Sequence, residues 1–167
     1  MNKILYAFAL AGVLGLSSCS DFLDQTSPSE MTAENTYASP YYTNLRVNKL
    51  YGGMGQDRTY AQDLSIVWNL NSDCELIDGL GSNATNTSSE RGNMNYNMDP
   101  GWSKISGVWD AEYGIIEDAN QIIEGIRSSA TLTAGGANQK SMERSLGEAL
   151  TIRAMVYFDL VRIFGDI

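Results

Sequence analysis

Near the end of the chain runs Gly147-Glu148-Ala149-Leu150-Thr151-Ile152-Arg153-Ala154-Met155-Val156-Tyr157-Phe158-Asp159-Leu160-Val161-Arg162-Ile163-Phe164-Gly165-Asp166, whose apolar residues recur at the spacing of an α-helix. At 100° per residue one side is apolar and the other is polar, so we predict an amphipathic helix closed by Gly165. Gly147 lowers helix propensity and suggests a close helix–helix approach. The polar side carries Glu148, Thr151, Asp159 and Arg162, and the predicted buried side carries Leu146, Ala149, Leu150, Tyr157, Leu160, Val161 and Phe164.

A second amphipathic helix is predicted before this one, from Asp99-Pro100 to about Arg127. Asp99 is a suitable N-cap, and proline fits the first helical turn. The connector, residues 128–138, contains Gly135-Gly136 and is short enough to predict an antiparallel hairpin of the two helices. The predicted buried side consists of Trp102, Ile105, Val108, Trp109, Ile116, Ala119, Ile123 and Ile126.

One charged residue, Arg153, falls on the predicted apolar side of the last helix. A buried guanidinium must be paired and hydrogen-bonded. Glu112, near the centre of the other apolar side, is a candidate partner, and Asp73, Glu75 and backbone carbonyls compete with it.

Shorter helices are predicted before the pair, at Glu30 to Ala38 and from Pro40 to an end at Gly52-Gly53. The next stretch, Gln56 to Gly79, reads as a helix or as an irregular buried segment. Asp78 to Gly101 is rich in Gly, Asn, Ser and Thr and reads as a long loop, which in a compact domain is usually functional or disordered.

This loop and its border hold the residue types that bind sugars. Aromatic rings stack on the apolar side of a pyranose, while amide and guanidinium groups bond its hydroxyls. We therefore predict ligand contacts at Arg91, Asn95, Tyr96 and Trp102. The alternative is that Tyr96 and Trp102 pin the loop to the core.

Charge and composition exclude several classes of function. The chain has 11 basic and 20 acidic residues, a formal net charge of −9 and no histidine. This balance argues against nucleic acid as a partner and removes the commonest general base and metal ligand. Asp73 and Glu75 would not face each other on a helix and have no third catalytic partner, so no catalytic residue is predicted. No metal site and no cofactor is predicted either.

The amino terminus has the pattern of an exported protein. Lys3 precedes an apolar run, Ile4 to Leu16, that is too short for the ~20 residues of a membrane-spanning helix. The run ends in Leu16-Ser17-Ser18-Cys19, which resembles the lipobox of bacterial lipoproteins; the alternative is an ordinary secretory signal with a chance cysteine. We predict a signal peptide at 1–18, an acylated tether at 19–29 and a helical domain at 30–167.

Several motifs in register resemble the SusD/RagB family of Bacteroidetes nutrient-binding lipoproteins. The resemblance covers the chain from Cys19 to its last residue. The motif residues to which the resemblance assigns a structural role are Trp109, Tyr113 and Asn120 on the first long helix, and Glu148, Arg153 and Tyr157 on the second. The motifs are Cys19 to Asp24, the Trp109-x3-Tyr113-x2-Ile116-x2-Ala119-Asn120 pattern, Gly147-Glu148-Ala149, Arg153-Ala154, Tyr157-Phe158, Leu160 and Phe164-Gly165-Asp166.

The resemblance implies an all-α SusD-like fold with tetratricopeptide-like helix pairs. It implies a surface-exposed outer-membrane lipoprotein of polysaccharide utilization, which binds oligosaccharides or other nutrients and delivers them to a SusC-like TonB-dependent transporter. Such proteins are binders, not enzymes, and they are longer, so the chain resembles their amino-terminal portion.

Two other classes of function remain as alternatives. The first is a lipid-anchored helical scaffold for protein partners. The second, a glycoside hydrolase, needs an acid and a second carboxylate across a cleft, and the sequence identifies no such pair.

Overall fold

The computed structural model describes residues 31–69, 72 and 100–167. Regular structure within these residues is helical, which confirms the predicted all-α class. The signal peptide, Cys19, the tether, and the loop residues Arg91, Asn95 and Tyr96 lie outside the described residues, as do Asp73 and Glu75. The helices are α1 (Ala33–Ala38), α2 (Pro40–Met54), α3 (Asp63–Asn69), α4 (Ser103–Ser128) and α5 (Gly136–Phe164), and a 3-10 turn at Ala130–Thr133 joins the last two.

The two long helices, α4 and α5, form the predicted antiparallel hairpin. Trp109 on α4 packs against Phe164 on α5, and Asn120 further along α4 bonds Arg153 earlier on α5. Helix α2 packs against both, so three helices enclose the core. Completely buried side chains of this core include Val47, Leu50, Val108, Ala119, Ile122, Ile126, Met142, Ala149, Val156 and Leu160.

Helix α2 begins where predicted but runs past Gly52-Gly53 to Met54. Its start is fixed by Pro40 in the first turn and by Thr43, whose buried hydroxyl donates to the carbonyls of Thr36 and Ser39. A Cβ added at Gly53 would lie 3.0 Å from Cγ1 of Ile115 on α4. Gly53 therefore serves the close approach of two helices and does not end α2.

The start of α4 also differs from the prediction. The helix begins at Ser103 and not at Asp99-Pro100, and Trp102 occupies the N-cap position with an extended backbone. The side chain of Trp102 is buried, at 6% exposure. Burial of this large ring fixes the point where the helix leaves the loop, which capping preferences alone do not reveal.

Helix α5 is rotated relative to the predicted orientation. Tyr157 and Val161, predicted to be buried, are 39% and 48% exposed, whereas Asp159, predicted to be exposed, is 3% exposed. The reason is that α5 packs against α2 and α4 together, along a line through Ala149, Ile152, Val156 and Leu160. A polar partner for Asp159 makes its burial tolerable.

The close approach predicted at Gly147 is wrong, because a Cβ added there would meet nothing within 4 Å. The close approach lies instead at Gly125 on α4, where an added Cβ would overlap the ring of Tyr37 on α1. Hydroxyls of the connector also tie α1 down. Ser129 donates to the carbonyl of Tyr37 at 2.6 Å, and Thr131 donates to that of Ala38 at 2.9 Å.

Candidate functional site

An open groove of about 650 Å³ runs beside the exposed faces of α4 and α5. Its lining combines aromatic, amide and carboxylate side chains. The α4 residues are Trp109, Asp110, Tyr113, Gly114, Ile116, Glu117, Asn120 and Gln121, and Tyr157 comes from α5.

The aromatic side of the groove is held by rings that pack behind it. Trp109 and Tyr113 have ring centroids 4.6 Å apart at an angle of 44°, and Phe164 meets Trp109 edge-on at 4.9 Å. Such aromatic pairs contribute about 0.5–1.5 kcal/mol beyond burial of their area. Trp109 is nevertheless 38% exposed, so part of its ring remains open to a ligand.

The polar side is organised by Arg153, whose Nη1 donates to Oδ1 of Asn120 at 2.6 Å. The predicted pair of Arg153 with Glu112 is therefore wrong. The rotation of α5 places Arg153 at a half-buried edge, where an amide oxygen and solvent can satisfy the guanidinium. At the neighbouring edge, Arg46 Nη2 donates to Gln121 Oε1 at 3.1 Å, which orients a second amide of the groove.

Glu148 lies in a separate network on the other side of α5. It accepts from Arg144 Nε at 2.8 Å, one helical turn earlier, and from the Tyr51 hydroxyl at 3.3 Å. These contacts join α5 to α2, so Glu148 has a structural role within the described residues.

On the buried side of α4, Glu112 is completely inaccessible, and its neighbour across the helix pair is Asp159. The hydroxyl of Tyr60 donates to Oδ2 of Asp159. Burial raises the pKa of Glu112 to about 8, and the charge of Asp159 adds to the shift. Burial also raises the pKa of Asp159, although its bond from Tyr60 and the charge of Arg162 act in the opposite direction.

A family model described as SusD-like, "starch-binding associating with outer membrane", matches residues 21–167. The chain belongs to this SusD-like family. It is 28% identical over its whole length to the SusD-like protein P2 of Formosa agariphila, of which it spans 31%. It is 30% identical over 63 residues to a SusD-like protein of Bacteroides ovatus, an alignment of 38% of this chain and 11% of that protein. No solved structure matches the chain.

Except for Glu148, the motif residues named on α4 and α5 of this SusD-like chain gather around the groove. Trp109, Tyr113, Asn120 and Tyr157 line it, and Arg153 orients Asn120. The sequence pattern indicates structural roles for these positions and does not reveal the groove, because it places Tyr157 on the buried side of α5, whereas the ring is 39% exposed. Polar residues beside the Trp109-x3-Tyr113 pattern could have indicated the groove in the sequence. They are Asp110, Glu117 and Gln121.

Trp102, predicted to contact ligand, lies apart from these residues. Its ring is buried, and its Nε1 has no hydrogen-bond partner among the residues that the structure describes. This placement favours the alternative in which Trp102 pins the end of the loop to the core. The other predicted contacts, Arg91, Asn95 and Tyr96, lie outside the described residues.

Two further observations concern the described residues as a whole. Within them, no cluster of three or more His, Cys, Asp or Glu side chains is arranged to hold a metal ion. Their helices also lack any segment long and apolar enough to cross a bilayer.

Proposed function

We propose that this SusD-like chain belongs to a surface lipoprotein that binds glycans or other nutrients at the outer membrane and delivers them to a SusC-like TonB-dependent transporter. The observation that carries the proposal is the family match over residues 21–167, whose description names starch binding and the outer membrane. The chain spans less than a third of its Formosa relative, so these functions are proposed for the protein as a whole.

The proposed organisation follows the sequence. Residues 1–18 direct export, Cys19 carries the lipid anchor, residues 19–29 form a tether and residues 30–167 fold as the helical domain. Buried methylenes of the acyl chains contribute about 0.8 kcal/mol each to membrane anchoring.

The groove supports a contribution to sugar binding. Trp109 and Tyr157 offer partly exposed rings for the apolar side of a sugar, while Asn120 and Gln121 offer amides for its hydroxyls. Arg153 and Arg46 hold these amides in place. Because the arginines already hold these amides in place, a ligand that bonds them pays less entropy for ordering the groove. Neutral amide groups suit the hydroxyls of a polar ligand.

Binding without catalysis is the mode that we propose. Glu112 and Asp159 are buried, which keeps both carboxyl groups from a ligand in the groove. The exposed acids Asp110 and Glu117 are seven residues apart on one helix, or about 10.5 Å along its axis. Glycoside hydrolysis requires carboxyl groups about 5–9.5 Å apart on either side of the bond.

A second function, a scaffold for protein partners, is supported by exposed apolar residues on α5. Met155, Phe158 and Val161 are 42%, 61% and 48% exposed and recur at helical spacing. Contiguous exposed apolar patches are typical of surfaces that contact proteins or membranes.

Calorimetry of the purified chain with neutral oligosaccharides, including starch fragments, tests the leading proposal. Trp109→Ala and Tyr157→Ala should each weaken binding by about tenfold, equivalent to ~1.4 kcal/mol. Tyr41→Ala is the matched control, because Tyr41 is 67% exposed on α2 and does not line the groove. Unchanged affinity in both groove variants would reject the groove as the sugar site. Capture of proteins alone, with no saccharide bound, would favour the scaffold.

A further inference from the structure

Glu112 is an ionisable group in a place where most helices carry an apolar residue. Its side chain is 0% exposed, and neither carboxyl oxygen has a hydrogen-bond partner within the described residues. An ionised carboxylate in such a place would carry a large desolvation cost. A protonated carboxyl group removes most of that cost, because a neutral group loses far less hydration on burial.

The charge that faces Glu112 from α5 has the same sign. Asp159 is 3% exposed and accepts a hydrogen bond from Tyr60, in the segment between α2 and α3. Two neighbouring buried carboxyl groups cannot both ionise without mutual repulsion. Because Asp159 already has a donor and Glu112 has none among the described residues, the proton is expected to reside mainly on Glu112.

Arg162 does not neutralise the pair completely. Its guanidinium carbon lies 5.0 Å from the ring centre of the half-buried Trp68 and 5.5 Å from that of the exposed Phe158, so the cation packs against two aromatic rings. It lowers the pKa of Asp159, but it is not among the influences on Glu112. Arg162 therefore favours ionisation of Asp159 and has no such effect on Glu112.

The exposed side chain of Arg58 lies against Gly107 on α4, five residues before Glu112. Several other charges around α4 have ion-pair partners of their own. From α2, Lys49 bonds Asp118 at 2.8 Å and Arg46 lies 3.8 Å from the same carboxylate. From α3, Asp63 is paired with Lys104 at 2.8 Å. These ion pairs do not include Glu112, whose carboxyl oxygens have no hydrogen-bond partner among the described residues and whose pKa is raised by the charge of Asp159.

We propose that the buried carboxyl group of Glu112 stays protonated beside Asp159, and that loss of this proton loosens the packing of α4 against α5, which makes this end of the hairpin a pH-responsive latch. The latch lies on the same helical turns as Trp109, Tyr113 and Tyr157, so its opening would also change the walls of the groove. The inference does not depend on the ligand that the groove accepts.

The sign of the effect follows from proton binding. The carboxyl group of Glu112 has an ordinary pKa of 4.5 and a raised value of about 8 in the folded chain. Between these values the folded state keeps a proton that the unfolded state has released, so stability falls as pH rises. Below the window both states are protonated, and above about pH 8 both are ionised and the loss levels off. Between pH 4.5 and about pH 8 the equilibrium constant for opening of the α4–α5 contact rises about tenfold per pH unit.

Carbon-13 NMR of the full chain labelled at glutamate carboxyl groups tests the proton directly. The Glu112 resonance is assigned by its loss in Glu112→Gln, and it should titrate near pH 8. Glu117→Gln, on an exposed face of the same helix, is the matched control. A Glu112 resonance that titrates at the ordinary glutamate value would overturn the proposal.

Hydrogen exchange at the α4–α5 contact, corrected for the intrinsic effect of pH on exchange, tests the latch. Opening should increase at least tenfold from about pH 6 to about pH 8 in the parent chain and in Glu117→Gln. Glu112→Gln should abolish that increase. Glu112→Met, which fills a similar volume without a titratable group, replaces it if the glutamine variant does not fold. An increase that persists in the folded variant would overturn the latch.

Discussion

Near the connector, the α4–α5 hairpin is packed with Ile122, Ile126 and Met142, each of them completely buried. Near its opposite end, the same two helices enclose Glu112 and Asp159. The connector end is stabilised by burial of apolar surface, which does not depend on pH. At the acid end, buried apolar side chains such as Val108 and Leu160 share the helix contact with two carboxyl groups, and the charge state of such groups affects stability. Under the proposed latch, one helix pair combines a contact that does not depend on pH with one that does.

The largest effect is expected for Met142→Ala at the connector end. Removing a completely buried methionine loses transfer free energy and leaves a cavity, which costs about 2–5 kcal/mol. Urea denaturation should measure this loss. Met155→Ala is the control, because Met155 is 42% exposed on the same helix and should lower stability by less than ~0.5 kcal/mol. Equal losses in the two variants would contradict the core assignment.

An intermediate effect is expected for Gly125→Ala. The added methyl group would overlap the Tyr37 ring, and overpacking of this kind costs about 1–3 kcal/mol. Gly147→Ala introduces the same group into open space on α5 and should stabilise the helix by up to ~1 kcal/mol. Thermal unfolding of both variants would show opposite shifts. Shifts of the same sign would disprove the close contact of α1 with α4.

The smallest effect is expected at the acid end, for Arg162→Gln. The variant removes a cation over the Trp68 and Phe158 rings, which is worth about 0.5–1 kcal/mol at an exposed site. It also removes a charge that lowers the pKa of Asp159. Denaturation near neutral pH should show a loss of this size. Arg127→Gln, at the exposed carboxyl end of α4, is the control, and an equal loss there would remove the cation–π contribution.

Much of the fold follows from the spacing of apolar residues. The hairpin, its connector and helix α2 were predicted because 3.6-residue periodicity is a local property. The predicted end of α2 at Gly52-Gly53 was wrong, because Gly53 packs against Ile115 and the helix continues to Met54. The rotation of α5 was not predicted, because the spacing of apolar residues along one helix does not show that α5 packs against α2 and α4 together. Gly125 and Gly147 look alike in sequence, and only the neighbouring helix distinguishes them.

The candidate site was less predictable for the same reason. Glu112 was identified from its position on an apolar face, but its neighbour Asp159 had been assigned to solvent. Tyr60 comes from an irregular segment whose position depends on the tertiary fold. The bond between Asn120 and Arg153 joins residues 33 positions apart, and no local pattern predicts such a pair.

The connector bonds of α1 have a consequence for synthesis. Ser129 and Thr131 hold carbonyls of α1 across separations of 92 and 93 residues. A ribosome releases the chain amino end first, so α1 must wait without these anchors until the connector has been made. Helix α1 is therefore translated about 90 residues before the side chains that anchor it.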